Sequence, residues 1–240
     1  MTISKTKKVF LFSTLTVLVI FTLLLLSFSL EKKECENYLG SLNASELSNV
    51  TSSKSVITDI NLKEGDIIFH SSQSKQCMAI QLATKSIYSH CGILFNYSGK
   101  LQVLEAVQPV KITSLEEFIK RGKDEHFVVK RLIDSPKKIT DQNIIAMKKI
   151  GDSFKGKNYD IYFNWNDDEL YCSELIWKIY EQGAGIKIGE LKPLSSFDLS
   201  HPEVKSIMKE RYGAKIPLSE MMISPASIFE SPLLYTVIEE

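Results

Sequence analysis

"SHCGILFNYSGKLQVLEAV", residues 89–107, is the stretch on which the fold turns. Two β-rich runs flank the turn pair Ser98-Gly99, and that spacing predicts a hairpin with a two-residue loop. In that register Gly92 lies opposite Glu105 and His90 opposite Val107, so His90 and Glu105 are diagonal neighbours on one face. Such neighbours have Cα atoms roughly 7–8 Å apart, within reach of long side chains. Glu105 shares its row with Leu101, Val103 and Val107, and a carboxylate on an apolar face is costly unless it is paired. The hairpin therefore predicts a His90–Glu105 pair, which a slip of one residue would abolish.

Strand alternation sorts the same stretch into an apolar row, Cys91, Ile93 and Phe95, and a second row of His90, Gly92 and Leu94. Read this way, Cys91 belongs to the core and cannot share a site with His90. Gly92, beside His90, leaves room for another backbone or a ligand. The thiol that could use His90 as its base then lies downstream, in "LYCSELIWKIY", residues 170–180. Leu175, Ile176 and Ile179 follow Cys172 at helical spacing, which puts Cys172 in the first turn of a buried helix. Unpaired N–H groups and the helix dipole favour a thiolate there, below the free thiol pKa of about 8.5. Asp167, Asp168 and Glu169 would oppose this if they turned inward, and a protonated His90 would have to outweigh them.

Further out, "GDIIFH" (residues 65–70) reads as a strand and "KQCMAIQLAT" (75–84) as a helix, with Cys77, Ile80 and Ala83 or Thr84 at helical spacing. Ser114 with Glu117 forms a capping box that opens a helix to Arg121, with Gly122 as its stop. "HFVVKRLI" (126–133) is another strand and residues 140–154 another helix. The helix that begins at Tyr171 runs to about Gln182 and is stopped by Gly183 and Gly185. A small antiparallel sheet with helices before, between and after its strands is an α+β pattern.

The 240 residues suffice for one main core and an appendage. With 29 basic against 29 acidic residues there is no field to recruit nucleic acid, so no nucleic-acid partner is expected. Lys5, Lys7 and Lys8 precede an uncharged, mostly apolar run, residues 9–30, about the ~20 residues that cross a bilayer as a helix. The run exceeds the roughly 7–15 apolar residues of a cleavable signal, and "LLSFSLEKK" fits a cleavage site poorly. Residues 1–35 are therefore expected to be a cytoplasmic tip, an uncleaved transmembrane signal anchor and a juxtamembrane segment. Residues 36–61, rich in Ser, Asn and Thr, form a linker, and 62–240 the folded domain. The upstream lysines place that domain outside the cytoplasm, although Lys32 and Lys33 weaken the asymmetry. Cys35, Cys77, Cys91 and Cys172 include no CxxC, and there is no paired-histidine spacing, so no metal site is expected.

The order histidine, glutamate, cysteine, on strand, strand and helix start, resembles the circularly permuted papain-like amidases, relatives of the NlpC-type cell-wall peptidases and of lecithin–retinol acyltransferases. The matching segments are "EGDIIF", "AIQLATKSIYSHCGILF", "VLEAV", "YDIYFNWNDDELYCSELIWKIY" and "ISPASIFESPLLYTV", together covering about residues 62–237. The resemblance implies a permuted papain-like fold with Cys172, His90 and Glu105 as the catalytic set and no cofactor. Cys91 stands where an apolar residue such as valine is usual in that family. The implied chemistry is acyl transfer to water: a Cys172 thioester, His90 protonating the leaving group, and Glu105 fixing its tautomer. The Cys172 backbone N–H would form part of an oxyanion hole, with Gln76 a further donor by residue type only. Cell-wall peptide amides are the first expected substrate, and lipid amides or esters the second, since the anchor would hold the site near a bilayer. A membrane-tethered, catalytically silent binding module is the rival, and an intact catalytic set argues against it. Tyr159, Tyr162, Phe163 and Trp165 read as packing or as a cleft wall, and His70, His126 and His201 as surface or strand-end residues.

Overall fold

In the computed structural model, which describes residues 61–72, 74–134 and 138–240, the hairpin organises everything else. Strand β2 (His90–Tyr97) pairs with β3 (Lys100–Glu105) from Tyr97 opposite Lys100 to Ile93 opposite Leu104. Ser98 and Gly99 both take positive φ, 54° and 80°, the pair a two-residue turn of primed type requires. β1 (Ile67–His70) lies antiparallel to β2 on one side and to β5 (Phe127–Leu132) on the other. The edges are β4 (Lys111–Ser114), beside β3, and β8 (Leu234–Glu239), beside β5. The six-stranded antiparallel sheet thus runs β4-β3-β2-β1-β5-β8. Neither edge was expected: β4 is four residues long and leads straight into a helix cap, and β8 buries only Leu234 fully.

One face of the sheet, with Ile67, Phe69, Cys91, Ile93 and Phe95, enters the main core. Two helices pack there, α3 (Asp141–Phe154) and α4 (Cys172–Ala184), and α1 (Lys75–Thr84) lies before the hairpin. Thr140 and Asn143 cap α3 reciprocally, which explains why this helix starts where the sequence reading put it. α4 runs past Gly183 to a left-handed Gly185 (φ 69°). Gly183 is a packing glycine instead of a stop, since a Cβ there would stand 2.6 Å from Met147 Cα on α3. The other face of the sheet is covered by α2 (Leu115–Lys120), capped by Ser114 and seated through the buried Phe118.

After α4 the chain builds a lobe that the sequence did not reveal. It comprises a two-stranded sheet of β6 (Lys192–Pro193) and β7 (Met221–Met222), α5 (Pro202–Tyr212) packed on α1, and α6 (Pro225–Phe229). At the opposite end Arg131 clasps Asp66 through Nε (2.6 Å) and Nη2 (2.7 Å) and donates to the Asn61 carbonyl, fastening the start of the domain to β5. The fold is α+β, as predicted. The expected membrane helix, residues 9–30, falls outside the described residues, among which no helix is long and apolar enough to cross a membrane.

Candidate active site

His90 is the first residue of β2, and its ring stacks on Phe118 of α2 at 5.6 Å between centroids. Its Nε2 meets Glu105 Oε2 at 2.7 Å, the pair that the hairpin register predicts. Glu105 is wholly buried, and its other oxygen accepts from Thr113 Oγ1 (2.5 Å) on β4 and from Arg121 at the end of α2. Burial pushes the carboxyl pKa up, but the bond and charge of His90, then Thr113 and Arg121, bring it down to about 2. Sequence reasoning missed Thr113 and Arg121. The first sits on the unexpected β4, and the second reads in sequence only as a helix end.

Cys172 opens α4, whose start is pinned by its neighbours. Tyr171 accepts from the Ile223 N–H through its hydroxyl, and Ser173 Oγ donates to the Ile223 carbonyl at 2.8 Å. Cys172 is 2% exposed, and the His90 ring, the Cys91 thiol and the Cys91 backbone N–H act on its sulfur. The Cys91 hydrogen bond is the largest influence on its pKa, burial opposes it, and the bond and charge of His90 add to it, so that the thiol is held well below its ordinary value. Burial lowers the His90 pKa, yet the bonds and charges of Cys172 and Glu105 together raise it to about 10. A thiolate facing an imidazolium is the state these groups favour. None of the three acidic residues upstream is among the main influences on Cys172: Asp167 and Asp168 lie exposed, and Asp167 is paired with Lys178 Nζ at 2.6 Å.

One expectation about the hairpin is corrected and another extended. Cys91 is core, as alternation predicts, but its thiol and backbone N–H also act on the Cys172 sulfur. Alternation sorts side chains between faces, whereas backbone N–H groups lie in the plane of the sheet. The β2–β3 pairing ends at Ile93, so the first residues of β2 offer Cys172 an open edge. Gly92 makes room for neighbouring side chains as well as for the backbone it was expected to admit: a Cβ there would meet Val103 Cγ1 at 2.3 Å, Phe118 Cε2 at 3.2 Å and the Leu104 carbonyl at 3.3 Å. His70, expected at a strand end or the surface, is at a strand end but only 1% exposed. Its ring lies 5.1 Å from that of His90, and neither of its nitrogens has a well-aligned hydrogen-bond partner. Burial, then the charge of His90, lowers its pKa to about 3, so it is a neutral wall of the site.

Two cavities meet here. The first, about 90 Å³, is walled by Cys172 and by apolar side chains including Ala79, Phe163, Leu194, Val204 and Met208. The second, about 210 Å³, holds His90 with His70, Ser72, Ser89 and Arg121. Gln76 and Tyr159 line both, joined by a 2.9 Å bond from Gln76 Nε2 to the Tyr159 hydroxyl, and Arg211 donates to Gln76 Oε1 at 2.6 Å. Of the four aromatics upstream of Cys172, Tyr159 and Phe163 wall the site. Tyr162 is exposed, and Trp165 packs on Trp177.

Comparison with known proteins agrees with this arrangement. A family described as permuted papain-like amidase enzyme, YaeF/YiiX, C92 family, matches residues 61–238. The uncharacterized protein YiiX of Escherichia coli strain K12 is 44% identical over 176 residues, which cover 73% of this chain and 86% of that protein. A crystal structure described as metalloprotein YiiX from Escherichia coli O157:H7, DUF1105, superposes with a TM-score of 0.71 at 43% identity, covering 74% of this chain and 97% of that one. With the match running through the whole sheet and both core helices, the chain belongs to the permuted papain-like amidase family of YaeF and YiiX.

Proposed function

We propose that the chain is a cysteine hydrolase acting through Cys172, His90 and Glu105 on an amide or ester whose acyl part is apolar and whose leaving part is polar. The observation that carries this reading is the meeting of two unlike cavities at the candidate nucleophile and acid. Cys172 belongs to the apolar one, His90 to the polar one, and Gln76 and Tyr159 to both. A substrate lying across that junction presents its carbonyl carbon to the sulfur and its leaving atom to the imidazole.

The steps follow from the protonation states. The Cys172 thiolate attacks the carbonyl carbon, and a carbon–sulfur bond forms. As the carbon–nitrogen or carbon–oxygen bond breaks, the His90 ring nitrogen not engaged by Glu105 delivers its proton to the leaving atom. Water then enters by the polar cleft and surrenders a proton to His90. It attacks the thioester, the carbon–sulfur bond breaks, and the acid leaves with the thiolate restored. Glu105 holds the ring and stabilises its charge throughout, as the carboxylate of a serine triad does. A silent binding module has no need of a thiolate held by an imidazolium.

The apolar cavity favours lipid amides or esters over cell-wall peptides, whose backbone groups it would leave without hydrogen-bond partners. Its 90 Å³ is less than the roughly 150 Å³ that holds a benzene ring, so it receives the first few carbons of an acyl chain. Longer chains need adaptable side chains such as Met208 and Met222 to shift. An anchor at residues 9–30, with the domain outside the cytoplasm, would keep such a site beside its lipid source. The relative described as a metalloprotein raises the question of a resident metal ion. Among the described residues, no three His, Cys, Asp or Glu side chains form a group that could hold one, and Glu105 is already committed to His90, Thr113 and Arg121. The described residues do not fit a resident metal.

Hydrolysis by the full chain of amides and esters graded in acyl length, beside wall peptide fragments, tests the reading. Cleavage of the acyl substrates, with kcat/KM rising over the first few carbons, is expected. Cleavage of wall peptides alone, or rates indifferent to acyl length, would overturn it.

A further inference from the structure

The mechanism above uses one thiol, but the site contains two. Cys91 and Cys172 are both free and fully or almost fully buried, and they share one core cluster. They sit where α4 packs on β2, in the same part of the core, and each thiol acts on the other's ionisation. The two differ in state. Burial pushes the Cys91 thiol up, so it keeps its proton and donates toward Cys172, which is the thiolate of the pair. A reactive thiolate lining a cavity, with a second thiol in the same helix–strand packing, is the arrangement in which oxidation ends in a disulfide.

We propose that Cys91 and Cys172 are a modification site: a peroxide, hydrogen peroxide or an organic hydroperoxide, converts them to a disulfide that silences the enzyme reversibly and spares its nucleophile. In the first step the Cys172 thiolate attacks a peroxide oxygen and the O–O bond breaks. Cys172 becomes a sulfenic acid, and the departing hydroxide or alkoxide takes the proton of the His90 imidazolium. In the second step the Cys91 sulfur attacks the sulfenic sulfur. The S–S bond forms as the S–O bond breaks, and the hydroxyl leaves as water with the Cys91 proton. Both thiols are oxidised, and the peroxide is reduced to two waters, or to one water and an alcohol. Without Cys91 the sulfenic acid would remain exposed to further peroxide and pass to sulfinic acid, which ordinary thiol reductants do not reverse. His90 lies against Cys172 but carries no thiol, so it cannot serve as the trap.

The inference rests on Cys172 being the reactive thiolate and not on any choice of substrate. The test treats full-length protein, first reduced and then freed of reductant, with excess hydrogen peroxide. It reads alkylation of Cys172 before treatment, after treatment and after dithiothreitol, together with a peptide map under non-reducing conditions. Wild type should lose Cys172 labelling, show a Cys91–Cys172 linked peptide, and regain its labelling on reduction. Cys91→Ala and Cys91→Ser should lose labelling and fail to regain it, with sulfinic acid on Cys172, whereas Cys77→Ser should behave like wild type. A cross-link from Cys172 to Cys77 or Cys35, no cross-link at all, or recovery equal in wild type and Cys91→Ala would each overturn the proposal. Failure of Cys172 to alkylate in untreated protein would instead count against the proposed function, and the peptide map would still decide the disulfide.

Discussion

On the hairpin side of the Cys172 sulfur, His90, Glu105, Thr113 and Arg121 are joined in one run of hydrogen bonds and ion pairs. On the α5 side, the sulfur faces a wall that includes Ala79, Leu194, Val204 and Met208. Directional bonds in a dry place leave little tolerance, because removing one partner strands the charge of the next. Apolar contacts have no direction, and volume-conserving changes among them are tolerated. Substitutions on the hairpin side should therefore change how fast any substrate reacts, and those on the α5 side which substrate reacts.

The largest effects belong to the two groups that exchange the proton. Cys172→Ala and His90→Ala should each lower kcat by up to about 10⁶-fold, the scale seen when a serine-enzyme nucleophile or base is removed. Cys172→Ala should keep the wild-type circular dichroism spectrum and stability, whereas His90→Ala, which strands the buried Glu105 carboxylate, should keep the spectrum with a lower denaturation midpoint. A folded Cys172→Ala variant that still turned over the acyl amide would move the chemistry off this sulfur altogether.

Glu105→Gln comes next, since an amide can hold the ring but cannot balance its charge. A loss of roughly 10 to 10⁴-fold is expected, the upper figure being that of the corresponding change in a serine triad. The pH profile sharpens the point. His90 must carry a proton to release the leaving group, and its pKa is raised to about 10, so wild-type kcat/KM should hold through neutral pH and fall as pH rises through about 10. Without the Glu105 charge the His90 pKa drops, and that alkaline limb should move to lower pH. An unmoved limb in a folded variant would remove Glu105 from the mechanism.

The two sides also differ in how plainly the sequence displays them. A two-residue turn fixes the register, and the register by itself sets His90 diagonally across from its carboxylate. Cys172 was legible as well, from Leu175, Ile176 and Ile179 in a run that is entirely buried. The apolar wall was not, because it is assembled from α1, α5 and the segment around β7, none of which shows a strong pattern alone. In "HPEVKSIMKERY" the apolar Val204, Ile207 and Met208 stand among charges, and only the fold turns them toward Ala79. Cys91 was half legible. Its burial follows from alternation, but its influence on Cys172 depends on where the β2–β3 ladder stops.

The α5 side should respond to volume. Ala79→Phe fills the apolar cavity from α1, and Val204→Phe from α5. Each should cut kcat/KM for a medium-chain acyl substrate by about 10- to 200-fold relative to an acetyl one, the range a hydrophobic pocket commands over a small change in fit. The acetyl substrate is the control, since a damaged fold would lower both. Equal losses on both substrates would remove this cavity from acyl recognition.

The smallest effect is expected at Arg121, and it probes how far the wiring of the hairpin side extends. Its guanidinium meets Glu105 Oε1 and sends Nε to the Glu117 carbonyl at 3.3 Å, but the side chain is 40% exposed, so water screens much of its charge. Arg121→Gln leaves Glu105 with His90 and Thr113. The carboxyl pKa then rises from about 2 toward the ordinary carboxylate range, which still lies below neutrality. At pH 7 Glu105 stays ionised, His90 keeps its partner, and the rate should stay close to that of wild type. The difference belongs to acid. A carboxylate with a depressed pKa adds stability that is present above its unfolded pKa and lost as pH falls through the folded one. In the variant that loss should begin at higher pH, and the acid limb of kcat/KM should move the same way. Chemical denaturation and initial rates followed from pH 7 down to pH 3 read both quantities. An unshifted acid limb would mean that the carboxylate does not feel Arg121. A large loss already at pH 7 would mean that Arg121, which also lines the polar cleft, touches the leaving group itself.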